Sequence, residues 1–181
     1  MSTNKPRLAI ISDLWGTRGT EWVEYYLQSL KPTYDVAFYD SCMLAGFDCT
    51  NLQEEEIHGK MVAGGIEAAA ARLLEQEKGP VDILAFSVGG TIAWKAMLLG
   101  LTVGSVYLVS STRLRYETSK PEAKIYLTYG EADEYRPSEE WFEELGLEHI
   151  LIKHEGHTLY RKESNARRIC EQIKGKQALQ V

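Results

Sequence analysis

The sequence predicts an α/β fold, a three-layer αβα sandwich around a mostly parallel six-stranded sheet. Three observations predict it. Strand-like and helix-like segments alternate along nearly the whole chain with little between them, which implies crossover connections and parallel strands. The strand segments are apolar almost throughout rather than alternating, as expected when helices bury both faces of a sheet. The chain has 181 residues at 20.4 kDa, with 44% hydrophobic and 25% charged residues. That is the size and balance of one ordinary domain with a sizeable core, here residues 1–181.

The elements follow in order. Residues 8–11 (LAII) form a short buried strand ending at Ser12-Asp13. Residues 20–30 place Trp22, Val23, Tyr26, Leu27 and Leu30 at helical spacing, with Thr20 as N-cap and Pro32 closing the segment. Residues 34–39 (YDVAFY) read as the second strand. Residues 41–60 read as loop with a short acidic helical stretch around Glu54-Glu55-Glu56, and the alanine-rich segment 61–78 reads as one helix stopped by Gly79-Pro80. The third strand is 81–86, followed by a helix over 90–99 that ends at Gly100. Strands over 103–109 and 124–129 follow, then a helix over 138–145 capped by Ser138. The sixth strand is 149–153, and an amphipathic helix over 160–174 closes the chain. No internal repeat, low-complexity segment or linker interrupts the pattern.

Composition removes several function classes. Lys plus Arg total 20 against 26 Asp plus Glu, a net charge of −6, and no local basic patch stands out, so a nucleic-acid partner is not expected. No apolar run reaches transmembrane length, and no membrane partner is expected. The start, Met1-Ser2-Thr3-Asn4-Lys5-Pro6-Arg7, leads directly into the first strand without a cleavage site and is not read as a signal peptide. Cys42, Cys49 and Cys170 are an odd number without CxxC spacing, which argues for free thiols, a reducing cytoplasmic setting and no metal site.

In open parallel sheets the ligand site lies beyond the carboxyl ends of the strands, so the residues that follow each strand carry the functional reading. After the third strand comes Ala85-Phe86-Ser87-Val88-Gly89-Gly90-Thr91. A serine stands directly between an apolar strand and a helix, with small residues two before and two and three after it. A nucleophile on a tight strand-to-helix turn needs that pattern, because larger flanking side chains would collide with neighbouring backbone. The helix start behind Ser87 also offers N–H groups to an oxyanion. Taken alone, Ser87 could equally be an N-cap at an ordinary turn. After the fifth strand comes Gly130-Glu131-Ala132-Asp133, where either carboxylate could orient an imidazole. After the sixth comes His154-Glu155-Gly156-His157, with two histidines able to move a proton near neutral pH. His58 and His149 have no supporting partners in the pattern.

The segments AFSVGGT (85–91), YGEAD (129–133) and EGHT (155–158), in that order, resemble a small lidless serine hydrolase of the α/β-hydrolase fold. The resemblance covers nearly the whole chain and implies strand order 2-1-3-4-5-6. It implies Ser87 as nucleophile, His157 as general base and acid, and Asp133 as the carboxylate that orients it. Ala85 stands where the family motif has its first glycine. One oxyanion N–H maps to Val88. The other maps to the loop after the first strand, where Asp13-Leu14-Trp15-Gly16 replaces the family's His-Gly, so Trp15 or Leu14 is the donor. Trp15, Ser111 and Tyr160 are the candidates for substrate contact. The implied activity is ester or thioester cleavage of a small acyl substrate, with no cofactor and no metal, by a monomer or homodimer. Residues 110–123 are too short for a helical cap, which leaves a shallow, open site, with residues 41–60 as the only other cover.

Two other readings compete. The loop Gly16-Thr17-Arg18-Gly19-Thr20 resembles the phosphate-binding loop of flavodoxin-like proteins, which implies an FMN- or anion-binding module. A hydrolase fold without activity, serving as an interaction surface, is the third.

Overall fold

The computed structural model describes residues 5–178, with side chains to residue 175. The stretch Met1-Ser2-Thr3-Asn4, part of the leader reading above, lies outside the described residues. Six strands, β1 (Arg7–Ile11), β2 (Asp35–Tyr39), β3 (Val81–Phe86), β4 (Val103–Val109), β5 (Lys124–Gly130) and β6 (His149–Ile152), form one sheet in the order β2-β1-β3-β4-β5-β6. All neighbours pair in parallel. The sheet and its order are those the sequence implied, and every strand's carboxyl end points to one edge.

Side-chain alternation divides the core. From β1 and β3, Ala9, Ile11, Ile83 and Ala85 face one layer, while Leu8, Ile10, Leu84 and Phe86 face the other. The first layer holds α2 (Ser41–Ala45), α3 (Glu54–Lys60), α4 (Ile66–Gln76), α5 (Val88–Leu98) and α6 (Glu139–Glu144). The second holds α1 (Val23–Leu30) and α7 (Glu163–Ala178). On that second face Trp22, Tyr26, Phe86 and Tyr160 pack in edge-to-face and tilted pairs with ring centroids 4.8–6.0 Å apart. This aromatic cluster ties the end of β3 to the segment that follows His157.

Two local readings are corrected. Helix α1 begins at Val23, not Thr20. The Thr20 carbonyl accepts from Val23 N–H, and its hydroxyl donates to the Thr17 carbonyl, so it does not cap the helix. Within 41–78 the acidic helical stretch around Glu54-Glu55-Glu56 is present as α3, but residues 41–45 are helix rather than loop and 61–78 is not one helix. Asp40 caps α2, and Gln53 and Glu56 form a capping box on α3. A π-helical turn (Met61–Gly65) then separates α3 from α4, with Gly64 at φ 114°. The two consecutive glycines at 64 and 65 permit the break: Gly64 takes a φ that L-residues rarely adopt, and a Cβ on Gly65 would lie 2.8 Å from the Lys60 carbonyl oxygen.

The β3–β4 ladder contains a register shift between Val81 and Ile83. There Ser105 N–H donates to the Asp82 carboxylate at 2.8 Å. Burial raises the Asp82 carboxyl above its ordinary value of 3.8, and the bond from Ser105 only partly offsets this. The folded chain therefore holds this proton more tightly than the unfolded chain does. The penalty is absent at pH well below 3.8, where both states are protonated. It grows as pH rises from 3.8 toward the raised folded-state value, levels off above that value, and is fully present at pH 7. Asp82→Asn keeps an acceptor for Ser105 N–H and removes the charge. Thermal unfolding at pH 7 should show Tm raised by about 1–3 °C, with the gain shrinking toward zero as pH approaches 4. A gain that grows on acidification would contradict this account.

Candidate active site

Ser87 sits between β3 and α5 with φ 52° and ψ −122°. That is strained for a residue with a Cβ, at roughly 1–3 kcal/mol, and it persists because the surroundings over-determine it. Ser87 N–H donates to the Val109 carbonyl, and its own carbonyl accepts from Gly90 N–H and Thr112 N–H. The motif's small residues have a visible reason. A Cβ on Gly89 would lie 2.4 Å from the Ser12 carbonyl oxygen, so the turn can approach the end of β1 only with glycine there. Among the described residues, the four non-glycine positions with positive φ, Ser87, Ser110, Arg113 and His154, follow the carboxyl ends of β3, β4 and β6.

Ser87 Oγ lies 3.0 Å from His157 Nε2. His157 Nδ1 lies 3.2 and 3.1 Å from the two oxygens of Asp133. A carboxylate only accepts, so the imidazole proton belongs on Nδ1, and Nε2 is left as the acceptor for the serine hydroxyl. The Asp133 side chain is fully buried, and its Oδ1 also accepts from Tyr135 N–H at 3.0 Å. The turn bearing Asp133 and the loop bearing His157 are bonded through their backbones, Ala132 N–H to the Glu155 carbonyl at 2.9 Å and Glu131 N–H to the Ile152 carbonyl at 3.0 Å. A Cβ on Gly130 would lie 2.3 Å from that same Glu155 oxygen. Of the competitors, Glu131 is exposed and accepts from His154 N–H at 3.2 Å, and the Ser87 hydroxyl and the inner imidazole nitrogen bond to His157 and Asp133 instead.

The loop after β1 separates its two candidate donors. Trp15 N–H donates to Asp13 Oδ1 at 3.0 Å and is engaged. Leu14 N–H makes no hydrogen bond among the described residues, and Val88 N–H, first in α5, has no partner within its helix. Sequence reasoning missed what holds this loop. Asp13 is buried, and its Oδ2 accepts from the Tyr160 hydroxyl at 3.0 Å and from Arg161 at 2.7 Å. Its carbonyl accepts from the Ser41 hydroxyl at 2.5 Å. Burial, together with Asp13, keeps the Tyr160 phenol far above its ordinary pKa, so it remains a donor. The only signal in the sequence was an unneutralised aspartate directly after an apolar strand.

A cavity of about 410 Å³ opens over Ser87 and His157. Leu14 and Trp15 form part of its wall, as do Tyr160 and Thr112. Glu54, His58, Met61 and Val62 close it from α3 and the π-helical turn. Of the candidate cover 41–60, Glu54 and His58 line the cavity and make a wall with the turn that follows, and the reading of His58 as incidental is corrected. Ser111 is corrected too. It is buried with its Oγ unpartnered and packed where a Cβ on Gly90 would fall, and Thr112 takes the place on the wall.

The phosphate-loop reading finds no support in its own residues. Asp40 places its carboxylate where a Cβ on Gly16 would be, which repels an anion, and Arg18 donates to the Cys49 and Leu52 carbonyls. No helix of the described residues is long and apolar enough to cross a membrane.

No family model matches the chain, and no curated protein matches it in sequence. Solved structures do match its fold. A Xanthomonas campestris pv. campestris protein assigned to the α/β-hydrolase superfamily has 18% identity and a TM-score of 0.66, covering 94% of this chain and 99% of its own. A Thermoplasma acidophilum protein described as a CIB-like hydrolase has 20% identity and a TM-score of 0.72 over 97% and 89%. Alpha/beta hydrolase domain-containing protein 10 from mouse has 13% identity and a TM-score of 0.70 over 97% and 91%. The chain has the α/β-hydrolase fold.

Proposed function

We propose that the chain is a serine hydrolase that cleaves an ester-type bond, carboxylester or thioester, of a small acyl substrate through an acyl-enzyme. The observation that carries this reading is the hydrogen-bonded series from Ser87 Oγ to His157 to the buried Asp133, on a strained turn beside a free helix N–H.

Ser87 Oγ attacks the acyl carbon as its proton passes to His157 Nε2. The imidazolium that forms is stabilised by the Asp133 carboxylate on Nδ1. Val88 N–H and Leu14 N–H receive the oxyanion, Leu14 replacing Trp15 because the latter's N–H is already committed to Asp13. His157 then returns the proton to the leaving oxygen or sulfur, leaving Ser87 acylated. Water, deprotonated by the same nitrogen, releases the acid and restores the hydroxyl. Asp13, pinned by Tyr160 and Arg161, acts as a positioning residue for the donor loop.

A fluorophosphonate probe tests the reading. Ser87 should be labelled in the folded protein and not after heat denaturation, with the adduct located by peptide mass spectrometry. A folded protein in which Ser87 takes no label would overturn it.

A further inference from the structure

The cavity carries two guanidiniums that hydrolysis itself does not use. Arg113 and Arg115 lie on the turn after β4, are partly buried, and line the same cavity as Ser87 and His157. Both lie over the ring of Tyr116, at 5.0 and 4.6 Å from its centroid. Arg115 also donates to the Tyr135 carbonyl at 2.9 Å and to the Tyr116 hydroxyl at 3.1 Å. Tyr135 in turn packs edge-on against His157, with centroids 5.1 Å apart, so this basic turn adjoins the reacting groups.

Neither arginine forms an ion pair among the described residues, although the chain has a net charge of −6. The cavity's third arginine, Arg161, is paired with Asp13. Glu54 and His58 on α3 line the same cavity, and Asp133 is buried behind His157. Arg113 and Arg115 are thus cavity cations to which no described carboxylate is paired. A guanidinium resting over an aromatic ring keeps in-plane N–H donors for an anion: Arg113 gives none of its own to a described residue, and Arg115 keeps those not given to Tyr135 and Tyr116. Arg113 moreover holds φ 65°, a conformation disfavoured for a residue with a Cβ, and such strain is retained where a site requires it.

We infer that the cavity takes an ester bearing a second, uncleaved anionic group, which Arg113 and Arg115 hold while Ser87 attacks the acyl carbon. The inference rests on the hydrolase reading and specifies its substrate class. Carboxylate and phosphate share the chemistry that an arginine pair recognises, and the probes separate them. On the acyl side, 4-nitrophenyl hydrogen adipate is compared with 4-nitrophenyl hexanoate. On the leaving side, 3-acetoxybenzoate and 3-acetoxyphenyl phosphate are each compared with 3-acetoxybenzamide. Uncatalysed rates are subtracted throughout.

The wild type should prefer the anionic member of at least one pair by about tenfold or more in kcat/KM, the scale of one charge-assisted hydrogen bond. Added sodium chloride should narrow that preference. Arg113→Gln and Arg115→Gln should each reduce the ratio of anionic to neutral kcat/KM, mainly through KM. The wild-type ratios need no variant, so a variant that fails to fold leaves the test intact. Cleavage of neutral esters as well as, or better than, every anionic partner overturns this inference and leaves the hydrolase reading standing. A wild type that cleaves none of the esters and takes no fluorophosphonate overturns both.

Discussion

Ser87→Ala should lower kcat/KM for any ester substrate by about 10⁴–10⁶-fold while leaving the folded state nearly unchanged. The size follows from what the substitution removes. Without Oγ no acyl-enzyme forms, and His157 Nε2 faces empty space where it now lies 3.0 Å from the hydroxyl. The oxyanion donors and the cavity remain, so the residual rate should still exceed that in water. Stability should barely move, because alanine inherits the same φ of 52° with the same Cβ, and the bonds made by the Ser87 N–H and carbonyl belong to the backbone. The check is kcat/KM with a chromogenic ester beside a thermal melt. A Ser87→Ala protein retaining more than a hundredth of wild-type turnover would remove Ser87 as the nucleophile. If the three residues act as a unit, Ser87→Ala combined with His157→Ala should be no slower than Ser87→Ala alone.

How far the sequence was legible depended on whether the relevant physics was local. The strands were readable because both faces of the sheet are covered, so each strand is a bare apolar run, and all six fall within a residue or two of their observed bounds. The residues at the strand ends were readable because topology alone brings the carboxyl ends to one edge. That is why Ser87, Asp133 and His157, separated in the chain by tens of residues, could be placed at one edge of the sheet from the sequence. What escaped was decided by contacts between distant segments. In the 41–78 region the helix at 54–60 was readable, but α2 was not because capping by Asp40 is a weak signal, and the break at Gly64-Gly65 was not because it resembles a tolerated glycine pair. Its consequence is functional, since the break sets α3 as a wall of the cavity. The choice between Leu14 and Trp15 turned on one carboxylate, Asp13, whose partners Tyr160 and Arg161 lie 147 and 148 residues away. Ser111 was misplaced by a single residue, because a strand end alternates sides and Thr112, not Ser111, faces the cavity.

Asp133→Asn should reduce kcat by about 10³–10⁴-fold with little change in KM, a smaller loss than that from removing the nucleophile. The reason is the tautomer. Asp133 offers two acceptor oxygens, one shared with Tyr135 N–H at 3.0 Å and both within 3.2 Å of His157 Nδ1. An asparagine keeps its single carbonyl oxygen for Tyr135 N–H and turns its NH₂ toward Nδ1. That nitrogen must then accept, which moves the imidazole proton to Nε2, where it points at Ser87 Oγ and cannot take the serine proton. The imidazolium formed on attack also loses its counter-charge. Because the fully buried carboxylate is exchanged for a neutral isostere, the protein should still fold, and the fluorophosphonate labelling rate should fall in parallel with kcat. Glu131→Gln is the control. Its carboxylate, exposed and bonded to His154 N–H at 3.2 Å, has no path to the imidazole, so that variant should keep wild-type turnover. If Glu131→Gln were the crippled variant and Asp133→Asn the active one, the acid assignment would be reversed. The geometry on which the acyl-enzyme proposal stands would then have to be abandoned, because only Asp133 lies behind His157.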